Sequence, residues 1–176
     1  MTPEEKARVK IDRMFEEAGW QVVSRDEYTP NLTAAAIKEG LLKHNLEADY
    51  FLFINGKAVG VLEAKRAEID VDCDEVKGQA EKYVNNVPPI YAAYENPLRI
   101  IYLSNGEKVL FYDYAKKDGN YIEINRIHTP KEIVDILSID DFYAGLPTLQ
   151  KKGLRQCQFD AIKVWNKVSE TDKNGL

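Results

Sequence analysis

Three charged residues, Asp49, Glu63 and Lys65, lie at the ends of short apolar runs, where burying a charge is costly unless it is paired or binds a cation. Two carboxylates a few ångströms apart make a hard oxygen site that suits Mg²⁺ or Mn²⁺, and the backbone carbonyl of Ala64 offers a third oxygen. A cation held there would activate water and neutralise charge on a phosphodiester, while Lys65 would orient that water or stabilise the pentacovalent phosphorus. These residue types therefore indicate metal-dependent hydrolysis of a phosphodiester.

The elements that must position these residues are two strand-like runs, 49–54 and 57–65, separated by Asn55-Gly56, a strong hairpin signal. Side chains alternate along a strand, so Glu63 and Lys65 share one face. A two-residue loop would point Asp49 to the opposite face from Glu63, whereas an odd-numbered loop would bring the two carboxylates together. We therefore predict an odd-numbered loop, such as a three-residue turn with Gly56 in the left-handed conformation. Carboxylates on opposite faces would contradict the site.

The rest of the pattern predicts an α/β fold in the order αβββαββ, with a mixed central sheet flanked by helices. Thr2 as N-cap and Pro3 in the first turn begin a helix that Gly19 ends. The segment 33–40 is left open between a helix, which its three alanines favour, and an extended lead-in to the next strand. The expected elements are helices at 3–18, 74–86 and 130–137 and strands at 20–23, 49–54, 57–65, 98–103, 109–114 and 121–127.

Composition excludes several classes of protein. The 176 residues carry 24 Lys and Arg against 29 Asp and Glu, and a net charge of −5 excludes a histone-like coat for nucleic acid. Two distant cysteines support neither a disulfide framework nor a zinc site. The chain has no apolar run long enough for a membrane and no signal peptide at its N-terminus, so the expected compartment is the cytoplasm and no membrane partner is expected.

Three motifs together resemble a known family: Ala48-Asp49-Tyr50, Glu63-Ala64-Lys65-Arg66 and Gln79-Ala80-Glu81-Lys82-Tyr83. The αβββαβ order and the acidic hairpin resemble the PD-(D/E)XK nuclease superfamily, although Ala48 stands where its motif has proline. More narrowly, the motifs look like the N-terminal endonuclease domain of the restriction (motor) subunit of type I restriction-modification enzymes. That family has a Gln-x-x-x-Tyr motif, to which Gln79 and Tyr83 correspond. Four residues apart on a helix, they share one face and could position DNA or the metal shell.

The resemblance implies a nuclease that cuts double-stranded DNA with Mg²⁺, or with Mn²⁺ in its place, after ATP-driven translocation by a motor. Its partners would be separate methylation and specificity subunits. Asp49, Glu63 and the Ala64 carbonyl would be the metal ligands and Lys65 the catalytic base or transition-state cation. Some members of the superfamily use a further acid on the first helix. Glu17 is the candidate here, although an exposed helix position paired with Arg13 explains it more simply.

The C-terminal segment changes character, with five basic residues and one acidic residue over 146–168. Gly153-Leu154-Arg155-Gln156-Cys157-Gln158 resembles the start of a superfamily 2 helicase domain, so Arg155 and Gln158 are candidate nucleotide-motif residues. The chain has no Gly-x-x-x-x-Gly-Lys-Ser/Thr loop, so ATP binding is expected only in the full-length subunit. We predict a nuclease domain at 1–145, then a linker and the start of a truncated helicase (motor) domain at 146–176. An ordinary amphipathic helix would explain this segment equally well.

Two other functions fit the same residues. One is another nuclease of the superfamily, such as a junction resolvase or a repair nuclease. The other is a non-catalytic interaction module with a nuclease fold, in which Asp49, Glu63 and Lys65 form a salt-bridge cluster and bind no divalent ion.

Overall fold

A computed structural model describes residues 1–139, in which three α-helices pack on one seven-stranded sheet. The domain boundary after residue 145 and the candidates Arg155 and Gln158 lie outside the described residues. Within the described part, no helix is long and apolar enough to cross a membrane. The elements are α1 (Pro3–Glu17), β1 (Gln21–Val23), β2 (Ala34–Leu41), β3 (Glu47–Ile54), β4 (Lys57–Ala64), α2 (Asp74–Val84), β5 (Ile100–Ser104), β6 (Val109–Asp113), β7 (Ile122–Ile124) and α3 (Pro130–Leu137).

The order of strands in the sheet follows the order of strands in the chain, from β1 to β7. The pairs β1–β2 and β4–β5 are parallel and the others are antiparallel, so the predicted α/β fold with a mixed sheet is confirmed. The crossover from β4 to β5 contains α2, which lies over one face of the sheet. Helices α1 and α3 cover the other face.

The segment 33–40, for which the sequence allowed either a helix or an extended lead-in, forms most of β2 and is therefore a strand. Ala34, Ala35 and Ala36 are all at least 95% buried, and β2 pairs with β1 on one side and β3 on the other. Hydrogen bonds to two neighbouring strands satisfy its backbone, and this outweighs the modest helix propensity of alanine.

The turn between β3 and β4 has two residues, so the predicted odd-numbered loop is wrong. Ile54 pairs directly with Lys57. Asn55 and Gly56 have φ values of 48° and 73°, and a positive φ at both central residues is typical of a type I′ hairpin turn. The twist of this turn matches that of the strands, which is the physical reason why the Asn-Gly pair favours the shorter loop.

A β-bulge inside β4 nevertheless puts the two carboxylates on the same face. Leu52 pairs with Gly60 and Phe53 with Ala58, which leaves Val59 as an extra residue in β4. Beyond the bulge Tyr50 pairs with Leu62, so the next residues outward, Asp49 and Glu63, lie level with each other. The extra residue in the bulge moves the side chains that follow it in β4 to the opposite face of the sheet, which is the effect that we expected from an odd-numbered loop.

His128, which precedes α3, makes the stability of the described domain depend on pH. Its ring nitrogen Nδ1 lies 2.8 Å from the hydroxyl of buried Tyr102, and its carbonyl accepts a 2.8 Å hydrogen bond from Trp20 Nε1. Burial lowers the pKa of His128, although the nearby Glu132 opposes the shift. The folded state therefore favours the neutral imidazole.

We expect His128 to make the fold less stable as the pH falls below about 6.5, because the unfolded chain then binds a proton that the folded chain binds less readily. Urea unfolding at about pH 7.5 and pH 5.5 should show a smaller loss of stability in His128→Asn than in the unchanged chain. The control is His44→Asn, which replaces the other histidine of the chain at an exposed position. Equal pH slopes in all three proteins would contradict the prediction.

Candidate active site

The five residues that the motifs single out, Asp49, Glu63, Lys65, Gln79 and Tyr83, line one cleft of about 870 Å³. The ends of β3 and β4 form its floor. One wall is α2 and the other is the first turns of α1. The structure thus brings together residues that are up to 34 positions apart in the chain, from 49 to 83.

Asp49 is held by donors on both carboxylate oxygens. Its Oδ2 accepts a 2.7 Å hydrogen bond from the backbone N–H of Ala64, on the neighbouring strand. Its Oδ1 forms an ion pair with Nη2 of Arg8, from α1. These two donors fix the orientation of the carboxylate. The side chain is 15% exposed and lines the cleft.

Glu63 is the most buried acidic side chain of the site, with 2% of its surface exposed. Its Oε1 accepts a 2.5 Å hydrogen bond from Lys65 Nζ, whereas its Oε2 is buried and has no hydrogen-bond partner among the described residues. Burial and the negative charge of Asp49 raise the pKa of Glu63 to about 7, although Lys65 opposes the shift. A buried carboxylate oxygen without a partner is unfavourable unless a cation or a proton satisfies it.

Lys65 is anchored by the Gln-x-x-x-Tyr motif. Its Nζ also donates to Gln79 Oε1 at 3.0 Å, and Gln79 Nε2 donates to the hydroxyl of Tyr83 at 2.6 Å. The two motif residues share one face of α2 because they lie one turn apart. Gln79 therefore contacts the ammonium group of Lys65 directly, and Tyr83 contacts Gln79.

The structure adds Arg8, which our sequence reasoning missed, and does not bring Glu17 to the site. Arg8 lies beside Ala7, a buried position of α1, but its partner Asp49 is 41 residues away, and no local pattern reveals such a pair. Glu17 is exposed at the last residue of α1, about 13 Å along the helix from Arg8. It does not line the cleft, so our expectation of an extra acid on the first helix is not met by Glu17.

The donor set fits a hard divalent cation with few protein ligands. Among residues 1–139 no cluster of three or more His, Cys, Asp or Glu side chains could hold a metal. Asp49 and Glu63 offer two carboxylates, and Oε2 of Glu63 is a buried oxygen with no hydrogen-bond partner in the part of the chain that the structure describes. Mg²⁺ commonly keeps several waters and takes only one or two carboxylates, so this pair is sufficient.

Comparison with known proteins supports the resemblance. Residues 41–120 match the family model described as the type I restriction enzyme R protein N terminus. The fold is similar to a solved fragment described as an HsdR subunit of a type I restriction enzyme from Vibrio vulnificus YJ016, with a TM-score of 0.56 and 18% identity. This similarity covers 78% of the present chain and 25% of that chain, so the present chain spans about a quarter of the length of its relative.

No curated protein matches the chain. The matched segment nevertheless contains all five of the cleft residues that the motifs single out, from Asp49 to Tyr83. Over residues 41–120 the chain is therefore similar to the N-terminal region of type I restriction enzyme R proteins, the family that its motifs resemble.

Proposed function

We propose that this domain is a metal-dependent endonuclease that hydrolyses DNA phosphodiester bonds, as part of a type I restriction enzyme. The observation that carries the proposal is the geometry of Glu63. Its buried Oε2 has no hydrogen-bond partner among residues 1–139, Glu63 lies level with Asp49, and its other oxygen contacts Lys65. A fold that served packing alone would gain stability from an apolar residue at this position.

Each residue has a distinct role in the proposed reaction. Asp49 and Glu63, with the Ala64 carbonyl, would hold Mg²⁺ or Mn²⁺. The cation would supply an activated water and neutralise charge on the phosphodiester. Lys65 would act as the base or stabilise the charge that develops on phosphorus, and Gln79 and Tyr83 would hold Lys65 in place.

The larger assembly is part of the same proposal. In the full-length subunit we expect an ATP-driven motor to deliver double-stranded DNA to the cleft. Separate methylation and specificity subunits would supply recognition, and the complex would act in the cytoplasm. The isolated chain should therefore cut poorly and without preference for sequence.

The test is to titrate Mn²⁺ or Mg²⁺ into the purified chain and to follow nicking of supercoiled DNA. We expect weak nicking that requires the cation and stops when a chelator is added. Nicking that persists in the chelator would contradict a metal-dependent nuclease. Efficient cutting confined to branched DNA would favour a junction resolvase or repair nuclease instead.

One observation favours the non-catalytic module as a second candidate. Lys65 pairs with Glu63 and Arg8 pairs with Asp49, so part of the cleft is a salt-bridge cluster. This candidate requires that no divalent ion binds. Calorimetric titration with Mn²⁺ separates the two functions, because heat of binding that disappears in Asp49→Ala would exclude the module.

Gln79→Ala should lower the cation-dependent nicking rate about tenfold, the size of effect seen when a supporting hydrogen bond at a metal site is removed. Without the Gln79 carbonyl, Lys65 keeps only its bond to Glu63 and becomes less well oriented. Tyr83→Phe should have a smaller effect, because Lys65 keeps Gln79 as its partner. The control is Lys82→Gln, an exposed position of the same helix. An equal rate in Gln79→Ala and Lys82→Gln would contradict the positioning role.

A further inference from the structure

We propose that Arg8 sets the affinity of the cleft for divalent cations, so that a cation binds tightly only together with the anionic substrate. The inference rests on the proposed function, because it assumes that Asp49 and Glu63 bind a cation. It assigns to Arg8 a charge-balancing role, and neither the family motifs nor the sequence pattern points to this residue.

Three carboxylates lie in one row across the sheet. Lys38 of β2 pairs with Tyr50 of β3, and Gly40 pairs with Ala48, so Glu39 lies level with Asp49. Asp49 in turn lies level with Glu63 of β4. Like charges opposite one another on neighbouring strands repel, so the row needs positive charge nearby.

Arg8 and Lys65 supply that charge. Arg8 bridges the first two carboxylates, with Nη1 lying 3.2 Å from Glu39 Oε1 and Nη2 paired with Asp49 Oδ1. Lys65 pairs with the third, Glu63. Two basic side chains therefore pair with the three carboxylates of this row, and Arg8 cancels part of the negative charge directly beside the candidate cation site.

Arg8 is placed to act on both the cation and the substrate. The neighbouring α1 residues Ala7 and Ile11 are buried in the described domain, so the helix backbone that carries Arg8 is fixed. Its own side chain is 39% exposed and lines the cleft. A phosphodiester that enters the cleft would bring the negative charge that Arg8 offsets, so DNA should strengthen cation binding, and the cation should strengthen DNA binding by the same factor.

The test is calorimetric titration of Mn²⁺ into the full chain, with and without a short DNA duplex protected by phosphorothioate linkages. Arg8→Gln and Arg8→Met should each bind Mn²⁺ alone about tenfold more tightly, because a partly exposed unit charge near the site is removed. Both should also show a smaller gain in Mn²⁺ affinity from DNA. Arg8→Met keeps the aliphatic stem, so packing and charge are tested separately.

Two variants distinguish charge from structure. Arg8→Lys keeps the positive charge but can no longer contact Glu39 and Asp49 through two separate nitrogens. It should therefore bind Mn²⁺ as the unchanged chain does. Arg13→Gln removes the same charge from an exposed position of α1 and should have little effect. A purely structural role for Arg8 would instead weaken Mn²⁺ binding in all three Arg8 variants.

The outcomes separate the two proposals. If the unchanged chain binds Mn²⁺ through Asp49 but Arg8→Gln and Arg8→Met bind it equally or more weakly, the role of Arg8 is overturned and the metal site stands. If the unchanged chain and the Arg8 variants all fail to bind Mn²⁺, the metal site itself is wrong and the inference falls with it.

Discussion

Replacing Asp49 by Asn, or Glu63 by Gln, should lower cation-dependent nicking of supercoiled DNA by about a hundredfold or more, because each change removes one of the two carboxylates that would hold the cation. Both replacements keep the shape of the side chain. Binding of Mn²⁺, measured by calorimetry, should weaken in parallel with the loss of nicking.

Glu47→Gln is the matched control for these two variants. Glu47 lines the same cleft, but its side chain is 46% exposed and lies 3.7 Å from Arg25 at the rim. A screened ion pair of this kind contributes little, so nicking should stay close to that of the unchanged chain. Thermal melting of each variant shows whether it is folded. Equal nicking by folded Asp49→Asn, Glu63→Gln and Glu47→Gln proteins would remove the basis for the proposed site.

Gly60→Ala should destabilise the domain by about 3 kcal/mol, because β4 and β5 approach too closely for a side chain at this position. A Cβ atom on Gly60 would lie 2.3 Å from the carbonyl oxygen of Ile100 and 2.5 Å from its Cβ. Neither atom belongs to a flexible chain end, so the two strands would have to move apart. Urea unfolding followed by circular dichroism measures the loss.

Gly78→Ala is the control for this prediction. Gly78 lies on the exposed face of α2, and a Cβ there would meet no atom within 4 Å. This variant should be more stable by about 0.5–1 kcal/mol, the gain expected from replacing glycine by alanine inside a helix. Gly60 pairs with Leu52 at the bulge, so its replacement also tests the geometry that brings Asp49 level with Glu63. A Gly60→Ala protein as stable as the unchanged chain would contradict the close approach of β4 and β5.

Local signals in the sequence identified most of the elements that build the site. The Thr2 cap is observed, with its hydroxyl accepting a 3.2 Å hydrogen bond from the backbone N–H of Glu5, and Gly19 follows the helix with φ of 90°. The Asn55-Gly56 hairpin is also observed. Caps and turns depend on residues within a few positions of each other, so the sequence encodes them directly.

Most of the residues of the site, although not Arg8, were also indicated by the sequence. Asp49, Glu63 and Lys65 are unusual in strand-like runs, and Gln79 and Tyr83 match the Gln-x-x-x-Tyr motif of the family that the sequence resembles. The sequence therefore indicated which side chains belong together and which chemistry they favour. It did not show that Gln79 reaches Lys65, since that contact joins a helix to a strand.

Three features were decided only by the tertiary structure. The bulge at Val59, rather than the turn, decides which face of the sheet carries Glu63. The position of the bulge depends on the pairing of β4 with both β3 and β5. The alanine-rich segment becomes β2 because strands on both sides bond to it. Arg8 meets Asp49 because α1 packs across the sheet. Each of these features depends on residues that are distant in the chain, and short-range sequence patterns do not identify such residues.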